Sequence, residues 1–329
     1  MSSVSKMIKG SPSLTKKLFY SIVPFRYRYN KKYRETLESL NNSMNWPLEK
    51  LRDLQLSKVQ FLCKYAYENT VYYKKVFNSI GMKPEDINSL NDFKRLPLLT
   101  KDIVRKNYKS LISEKANRNI VKFSTSGSTG SPFHFEGEDE MFKREAAYIT
   151  RVYASHQSSL YSEKSVWLRR YQPAYNEPLF KYDYELGKRL YLSPFHLSFK
   201  NIKKYVKLIN DFGGKLLNGY PSSIYILAKL LDESGLKLNN IQRIHCASEN
   251  MSKEWRDYIE KVIGVIPKYH YGMVEKVSLF HQCSESNFYH ENLEYGFTEF
   301  HQINDVKNVV VGTSFMNLRM PFIRYVMND

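Results

Sequence analysis

Apolar residues return at helical spacing between Pro47 and Tyr67, at Leu51, Leu54, Phe61, Leu62 and Tyr65, which predicts a helix with those positions facing a core. The run Leu96-Pro97-Leu98-Leu99-Thr100-Lys101-Asp102-Ile103 reads differently. The residue before a proline is extended, and Thr100 is placed to cap a helix that starts after it. Phe133-His134-Phe135-Glu136 alternates like a strand, and Glu138 to His156 returns to a helical period with Phe142, Ala146, Ile149 and Tyr153 on one side. Strand and helix patterns then take turns. Lys164 to Leu168 predicts a buried strand ending in Arg169 and Arg170, a pair expected to be solvated. Lys215 to Asn218 predicts a strand, Gly219-Tyr220-Pro221-Ser222-Ser223 a tight turn, and Ile224 to Leu231 a helix, with Pro221 suited to its first turn. Ile241 to Cys246 and Val265 to His270 are strand-like and flank a helix over Ser252 to Val262, on which Trp255, Ile259 and Val262 share a side. The chain closes on strand-like Val309-Val310-Val311 and Phe322 to Tyr325. This alternation predicts an α/β fold with ligands at the C-terminal ends of the strands.

With 329 residues, 42% of them hydrophobic, the chain can bury one large core or two ordinary ones. Aromatic residues make up 15%, including 26 Tyr, and these pack while keeping a polar tip satisfied. Cys63, Cys246 and Cys283 are odd in number and far apart, so the expectation is a reducing, cytoplasmic setting without a disulfide framework. No apolar run approaches the roughly 18–20 residues that span a bilayer, and the N-terminus lacks a hydrophobic signal core.

The net charge of +17 suits anionic partners, yet no nucleic-acid module is recognisable and no nucleic acid is expected. Much of the excess lies at the start. No acidic residue precedes Glu35, against Lys6, Lys9, Lys16, Lys17, Arg26, Arg28, Lys31, Lys32 and Arg34. Residues 1–46 are expected to form a basic arm and helix ahead of a core spanning 47–329. The apolar centre of the arm, Leu18 to Phe25, could meet an anionic membrane surface, with peripheral association as the result. Packing of the arm on the core is the plainer reading, because Pro24 breaks any long amphipathic helix.

The strongest candidate chemistry is the run Phe123-Ser124-Thr125-Ser126-Gly127-Ser128-Thr129-Gly130-Ser131-Pro132. Its backbone N–H groups can turn inward and its hydroxyls can donate to anionic oxygens, as a phosphate cradle requires. It is not a Walker loop, since no Lys follows Gly130 and the next residues read as strand rather than helix. On composition alone, a Ser/Gly-rich solvent loop is an equal alternative. Two further loops leave strand ends, Ala247-Ser248-Glu249-Asn250 and Tyr271-Gly272-Met273-Val274-Glu275. In the second, an aromatic ring followed by Gly can stack on a base, and a carboxylate four residues on can hold magnesium against phosphate oxygens. His281, Cys283 and His290, with Cys246, form a scattered group that invites a zinc reading, although structural histidines more often look like this.

Thr-Ser-Gly-Ser-Thr-Gly-x-Pro resembles the signature loop of adenylate-forming enzymes. Tyr72-Tyr73 followed by Leu96-Pro97-Leu98-Leu99-Thr100-Lys101 is similar to the phenylacetate-CoA-ligase-like branch, including the proteins of capsular polysaccharide synthesis, which Gly219-Tyr220-Pro221-Ser222-Ser223 also resembles. Tyr271 to Glu275 looks like the family's Tyr-Gly-x-(Thr/Ser)-Glu motif, and Pro321 to Asp329 like its Pro-Leu-Ile-Arg-Tyr-x-x-Gly-Asp motif. The resemblance runs from about Tyr33 to Asp329. It implies an acyl-CoA-ligase-like N-terminal core of packed β-sheets with flanking helices, without the C-terminal lid. It implies ATP and Mg2+ as cofactors, a small carboxylic acid as substrate, and CoA or an acyl carrier protein as thiol acceptor. Thr125, Ser126, Gly127, Ser128, Thr129 and Gly130 would hold phosphates, with Thr129 and Glu275 catalytic. Glu275 would carry the metal, Tyr271 and Gly272 the adenine with Ser248 and Glu249 beside it, and Asp329 the ribose. Val274 departs from the pattern, standing where the family has a hydroxyl, and Asn328 stands where it has Gly. Two rival readings stay open: a nucleotide-binding core of weak activity, and a basic membrane-associated scaffold.

Overall fold

A computed structural model describes residues 18–19, 22–23, 29–116, 119–125, 133–184, 188–283, 286, 288–304 and 307–327, with residues 125, 303, 304, 307 and 308 described in backbone alone. Helices α1 (Lys31–Ser43), α2 (Leu48–Asn69), α3 (Val71–Ser79), α4 (Leu90–Phe93), α5 (Lys101–Lys106) and α6 (Tyr108–Leu111) come first. A hairpin of β1 (Ile120–Thr125) and β2 (Phe133–Glu138) and the helix α7 (Glu140–Ser155) follow. The middle of the chain alternates: β3 (Lys164–Leu168), β4 (Phe180–Asp183), β5 (Lys188–Leu192), α8 (Phe199–Phe212), β6 (Leu216–Gly219), α9 (Pro221–Ser234), β7 (Arg243–Ala247), α10 (Lys253–Ile263) and β8 (Pro267–Gly272). Five strands close it, β9 (Leu279–Gln282), β10 (Tyr289–Glu291), β11 (Gly296–Asn304), β12 (Lys307–Ser314) and β13 (Tyr325–Met327).

The local signals act as their chemistry dictates. Thr100 Oγ1 accepts from the Ile103 N–H at 3.3 Å to start α5, and Ser252 Oγ accepts from the Trp255 N–H at 3.2 Å to start α10. Pro221 opens α9, and Gly213 and Gly235 end α8 and α9 in left-handed backbone at φ 66° and 65°. Three expectations fail. Phe61, assigned to a core face by period, and Phe142, grouped on one side with Ala146, Ile149 and Tyr153, are 59% and 40% exposed, because the buried arc of each helix is narrower than its apolar arc. Phe322 to Arg324 is not strand: Arg324 turns into left-handed backbone at φ 52°, and pairing begins only at Tyr325.

The chain divides into two compact units. The first comprises Met1–Arg34, Ile149–Tyr271 and His281–His290. Its strands belong to a sheet of order β10-β9-β8-β7-β6-β3-β5-β4, in which β5, β3, β6, β7 and β8 run parallel and β4 antiparallel. Strand period separates its two faces. Val166, Leu168, Leu190, Leu192, Leu217, Ile244 and Cys246 pack with Ile202, Tyr205 and Ile209 of α8, Ile224 and Leu227 of α9, and Ile259 of α10. The opposite face carries Ser165, Trp167, Arg189, Tyr191, Asn218 and His245, brought level by the pairs Ser165↔Arg189, Trp167↔Tyr191, Trp167↔Asn218 and Asn218↔His245.

The second unit comprises Glu35–Tyr148, Gly272–Phe280 and Glu291–Asp329. It holds the β1–β2 hairpin and an antiparallel sheet of order β11-β12-β13. Phe123, Phe133, Phe135, Phe322 and Tyr325 form an aromatic cluster here, with Phe123 stacked on Phe135 at 4.7 Å between ring centres. Stacked and edge-on rings of this kind add about 0.5–1.5 kcal/mol per pair to their burial.

Candidate functional site

The second unit builds its candidate residues around Glu275, which is 2% exposed. Glu275 lies in the turn after β8, and that turn is pinned by two glycines. A Cβ on Gly296 would stand 2.2 Å from the Val277 carbonyl oxygen, and one on Gly312 would stand 2.8 Å from Ser278 Oγ, so β11 and β12 pass too close to carry side chains there. Ser314 Oγ donates to the Lys276 carbonyl at 2.7 Å, and Lys276, at φ 57°, ion-pairs with Glu145 at 2.6 Å. Held in this way, Glu275 Oε1 accepts a hydrogen bond from the Tyr325 hydroxyl at 3.0 Å.

Tyr325 is itself placed by the stretches that stood out in sequence. Leu99 pairs with it as an isolated parallel bridge, through Leu99 N–H to the Arg324 carbonyl and Val326 N–H to the Leu99 carbonyl, each 2.9 Å. The Tyr73 hydroxyl donates to the Pro321 carbonyl at 3.0 Å and accepts from the Ile323 N–H at 3.1 Å. Phe322 and Phe133 stack on the Tyr325 ring at 5.0 and 6.1 Å. Tyr72-Tyr73, Leu96 to Lys101 and Pro321 to Tyr325 are therefore scaffold beneath a carboxylate. The base of the Ser/Thr/Gly loop meets the same cluster, since Thr125 lies opposite Phe133 in the β1–β2 register. Ser126, Gly127, Ser128, Thr129 and Gly130 lie outside the described residues, as does Asp329.

Arg324 was legible only as part of a motif, and its work is structural. It is 5% exposed and binds Glu299 with a fork, Nε to Oε2 at 2.9 Å and Nη2 to Oε1 at 2.8 Å, while Nη1 donates to the Lys94 and Leu96 carbonyls. A bidentate pair of this kind fixes geometry as well as energy. Val274, one residue before Glu275, is 40% exposed.

The first unit carries Ser248, Glu249 and Tyr271 at the C-terminal ends of the neighbouring strands β7 and β8. Ser248 is exposed, sits at φ 74°, and its hydroxyl accepts from Arg169 Nη2 at 3.1 Å. Glu249 Oε2 accepts from the Ser222 N–H at 3.1 Å, so this carboxylate caps α9, whose N-cap residue Tyr220 makes no side-chain capping bond. The Tyr269 hydroxyl donates to the Glu249 carbonyl at 2.6 Å. Tyr271 is half-buried at the end of β8, and Gly272, which follows it in the second unit, is exposed. Arg169 was expected to be solvated and is instead 8% exposed. Its position directly after a strand of the parallel run was the available signal.

Three histidines, His156, His245 and His270, form a hydrogen-bonded chain. Among the described residues no group of three or more His, Cys, Asp or Glu is arranged to hold a metal ion. His156 Nδ1 lies 3.2 Å from His245 Nδ1, His245 Nε2 lies 2.6 Å from His270 Nδ1, and His156 Nε2 lies 2.7 Å from the Gln282 carbonyl. Burial, with His270 and His156 alongside, holds His245 well below the usual histidine range, and burial brings His281 down to about 4. Cys246 is fully buried, and burial pushes its thiol up.

No protein-family model matches the chain. It is 26% identical over 335 residues to Protein CapK of Staphylococcus aureus, an alignment covering 97% of this chain and 71% of that protein. A phenylacetate-coenzyme A ligase of Thermus thermophilus is 23% identical over 318 residues, covering 90% of this chain and 67% of the ligase. The chain is thus similar, over nearly its whole length, to proteins of the adenylate-forming, phenylacetate-CoA ligase-like superfamily. A similar fold is seen in the crystal structure of an open conformation of 2-hydroxyisobutyryl-CoA ligase in complex with 2-HIB-AMP and CoA. It matches with a TM-score of 0.67 and 17% identity, over 85% of this chain and 69% of that one. The expected α/β architecture, a large sheet with flanking helices, is the one observed.

Proposed function

We propose that this chain activates a carboxylic acid with ATP, giving an acyl-adenylate and pyrophosphate, and passes the acyl group to a thiol, with CoA as the acceptor. The observation that carries this reading is the Tyr325 to Glu275 hydrogen bond at the base of the Ser/Thr/Gly loop, where two family motifs meet at 3.0 Å. The solved 2-hydroxyisobutyryl-CoA ligase, which holds an acyl-AMP and CoA, supports the same chemistry. A role in surface-polysaccharide assembly belongs to this reading through the capsule-type resemblance.

In this reading the substrate carboxylate attacks the α-phosphorus and pyrophosphate leaves, so the protein's work is positioning and charge neutralisation. Thr125 and the loop residues Ser126, Gly127, Ser128, Thr129 and Gly130 hold phosphate oxygens. Tyr271 and Gly272 take the adenine with Ser248 and Glu249 beside them, and Asp329 takes the ribose. Glu275 offers hard carboxylate oxygens, oriented by Tyr325, which suit magnesium. Magnesium supplies neutralisation of phosphate charge when bound.

Val274 favours a second reading, a core that binds nucleotide with little catalytic power, because it is exposed where a donor would serve the phosphates. Calorimetric titration with AMP and with Mg·ATP tests what both readings share: neither survives if no binding is seen. For the third possibility, a membrane scaffold, no helix among the described residues is long and apolar enough to cross a bilayer. Co-sedimentation with anionic vesicles at low salt decides whether the basic arm docks on a surface.

A further inference from the structure

The polar face of the sheet in the first unit buries two cations that have no acidic partner among the described residues. Arg169, at the C-terminal end of β3, is 8% exposed. Its Nη2 donates to Ser248 Oγ at 3.1 Å and its guanidinium lies 5.2 Å from the Tyr220 ring centre, but its Nε is buried without a hydrogen-bond partner. Arg189, on β5, is 4% exposed. It lies 4.3 Å from the Trp167 ring centre and donates from Nη1 to the Tyr191 hydroxyl at 3.3 Å, and its Nε is likewise buried and unpartnered. Asn218, on β6, which flanks β3 on the side away from β5, is 0% exposed, gives its Nδ2 to the Tyr153 hydroxyl, and leaves Oδ1 without a partner.

Taking an arginine out of water without a carboxylate is costly, and aromatic faces return only part of that cost. The arrangement persists because the cations have work to do. Both arginines electrostatically favour ionisation of Tyr153, against the larger upward pull of burial, so both act on one buried neighbourhood. Arg169 also stands in line with Tyr220 after β6 and Ser248 after β7, at the end of a parallel sheet where ligands bind. A guanidinium with an idle N–H is the group that receives an oxyanion.

We propose that Arg169, with Arg189 reinforcing the positive field, forms a subsite for a second oxyanion on the substrate, so that the acid handled by this chain carries a second anionic group, as a dicarboxylate or a phosphorylated acid does. The inference rests on the acid-activation reading and names its substrate class.

The test uses the full chain and matched probes: succinate against butyrate, glutarate against pentanoate, and 3-phosphoglycerate against glycerate. Binding is followed without nucleotide, and AMP affinity is measured separately. A failure of AMP to bind therefore counts against the activation reading while the comparison of acids stays readable. The expected result is at least tenfold tighter binding of one dianion than of its monoanionic match, with the carboxylate and phosphate arms identifying the source. Arg169→Gln erases that preference, Arg169→Lys restores part of it, and Arg189→Gln weakens it. Because the cation is held at a cost, Arg169→Gln also raises the thermal midpoint of the ligand-free chain. Equal binding of mono- and dianions by the parent chain overturns the inference. So does a preference that survives in Arg169→Gln, and so does a lowered midpoint in a variant that still binds AMP, the sign of a purely structural arginine.

Discussion

Replacing Tyr325 by Phe removes the oxygen that donates to Glu275 and keeps the ring. The ring keeps Phe322 at 5.0 Å and Phe133 at 6.1 Å, and the backbone keeps its bridge to Leu99. What disappears is a 3.0 Å hydrogen bond between groups that are 0% and 2% exposed. A net hydrogen bond contributes about 0.5–1.5 kcal/mol, and one to a charged group about 1.5–3 kcal/mol, so the larger figure governs here. The expected loss is about 2 kcal/mol, read as a lower urea midpoint at unchanged slope. In the proposed reaction, pyrophosphate exchange falls about tenfold or more while AMP affinity changes less, because Tyr325 orients the carboxylate and does not touch the base. A double-mutant cycle with Glu275→Gln isolates the pair and should return a coupling of about 1 kcal/mol or more. A coupling near zero, with Tyr325→Phe as stable as the parent, would refute the assignment of Tyr325 as the residue that holds Glu275 in place.

Three further outcomes are expected. Arg324→Lys keeps the charge but not the fork on Glu299, and should cost roughly 3 kcal/mol by urea denaturation, since breaking a buried pair typically costs about 3–5 kcal/mol; a loss under 1 kcal/mol contradicts the buried-pair account. Gly296→Ala places a Cβ 2.2 Å from the Val277 carbonyl oxygen, so the turn bearing Glu275 must move. Its melting temperature and its Mg·ATP affinity should fall together, by about 1–3 kcal/mol in stability, and normal values for both would show that the turn is not pinned there. The buried histidines set the pH response. His245, His156 and His281 are depressed in the folded chain, so the unfolded chain binds their protons first, and stability is full above about 6.5 and lost as pH falls toward the folded values. His281 alone, at about 4, supplies up to roughly 3 kcal/mol across that window, and His281→Asn should flatten the fall in urea midpoint between about pH 7 and 5; a midpoint that does not move with pH contradicts it.

Much of the fold was legible because its signals are local. Thr100, Pro221 and Ser252 start helices through chemistry within three residues, and the strands of the first unit read from their apolar runs. The order of the motifs was also legible, and it led to the relatives that the chain resembles. Their roles were not. Tyr73, Leu99 and Arg324 stand in signature stretches, yet they hold Pro321 to Tyr325 in place by contacts across more than 200 residues, which no local pattern encodes. Glu249, read as part of an adenine-side loop, also caps α9, and only the register of β6 and β7 brings it there. Arg169 was taken for a solvated charge because charge alone predicts exposure. Burial of a cation is decided by the face its strand presents, and here the strand ends on the polar face beside Tyr220 and Ser248.

The measurement that bears most directly on the central claim is acid-dependent exchange of labelled pyrophosphate into ATP, run on the chain and on Glu275→Ala with a panel of mono- and dianionic acids. Acid activation predicts exchange above the acid-free control for at least one acid, abolished in Glu275→Ala while the variant remains folded. Exchange that is absent for every acid in a chain that binds Mg·ATP, or that continues unchanged in Glu275→Ala, would contradict it.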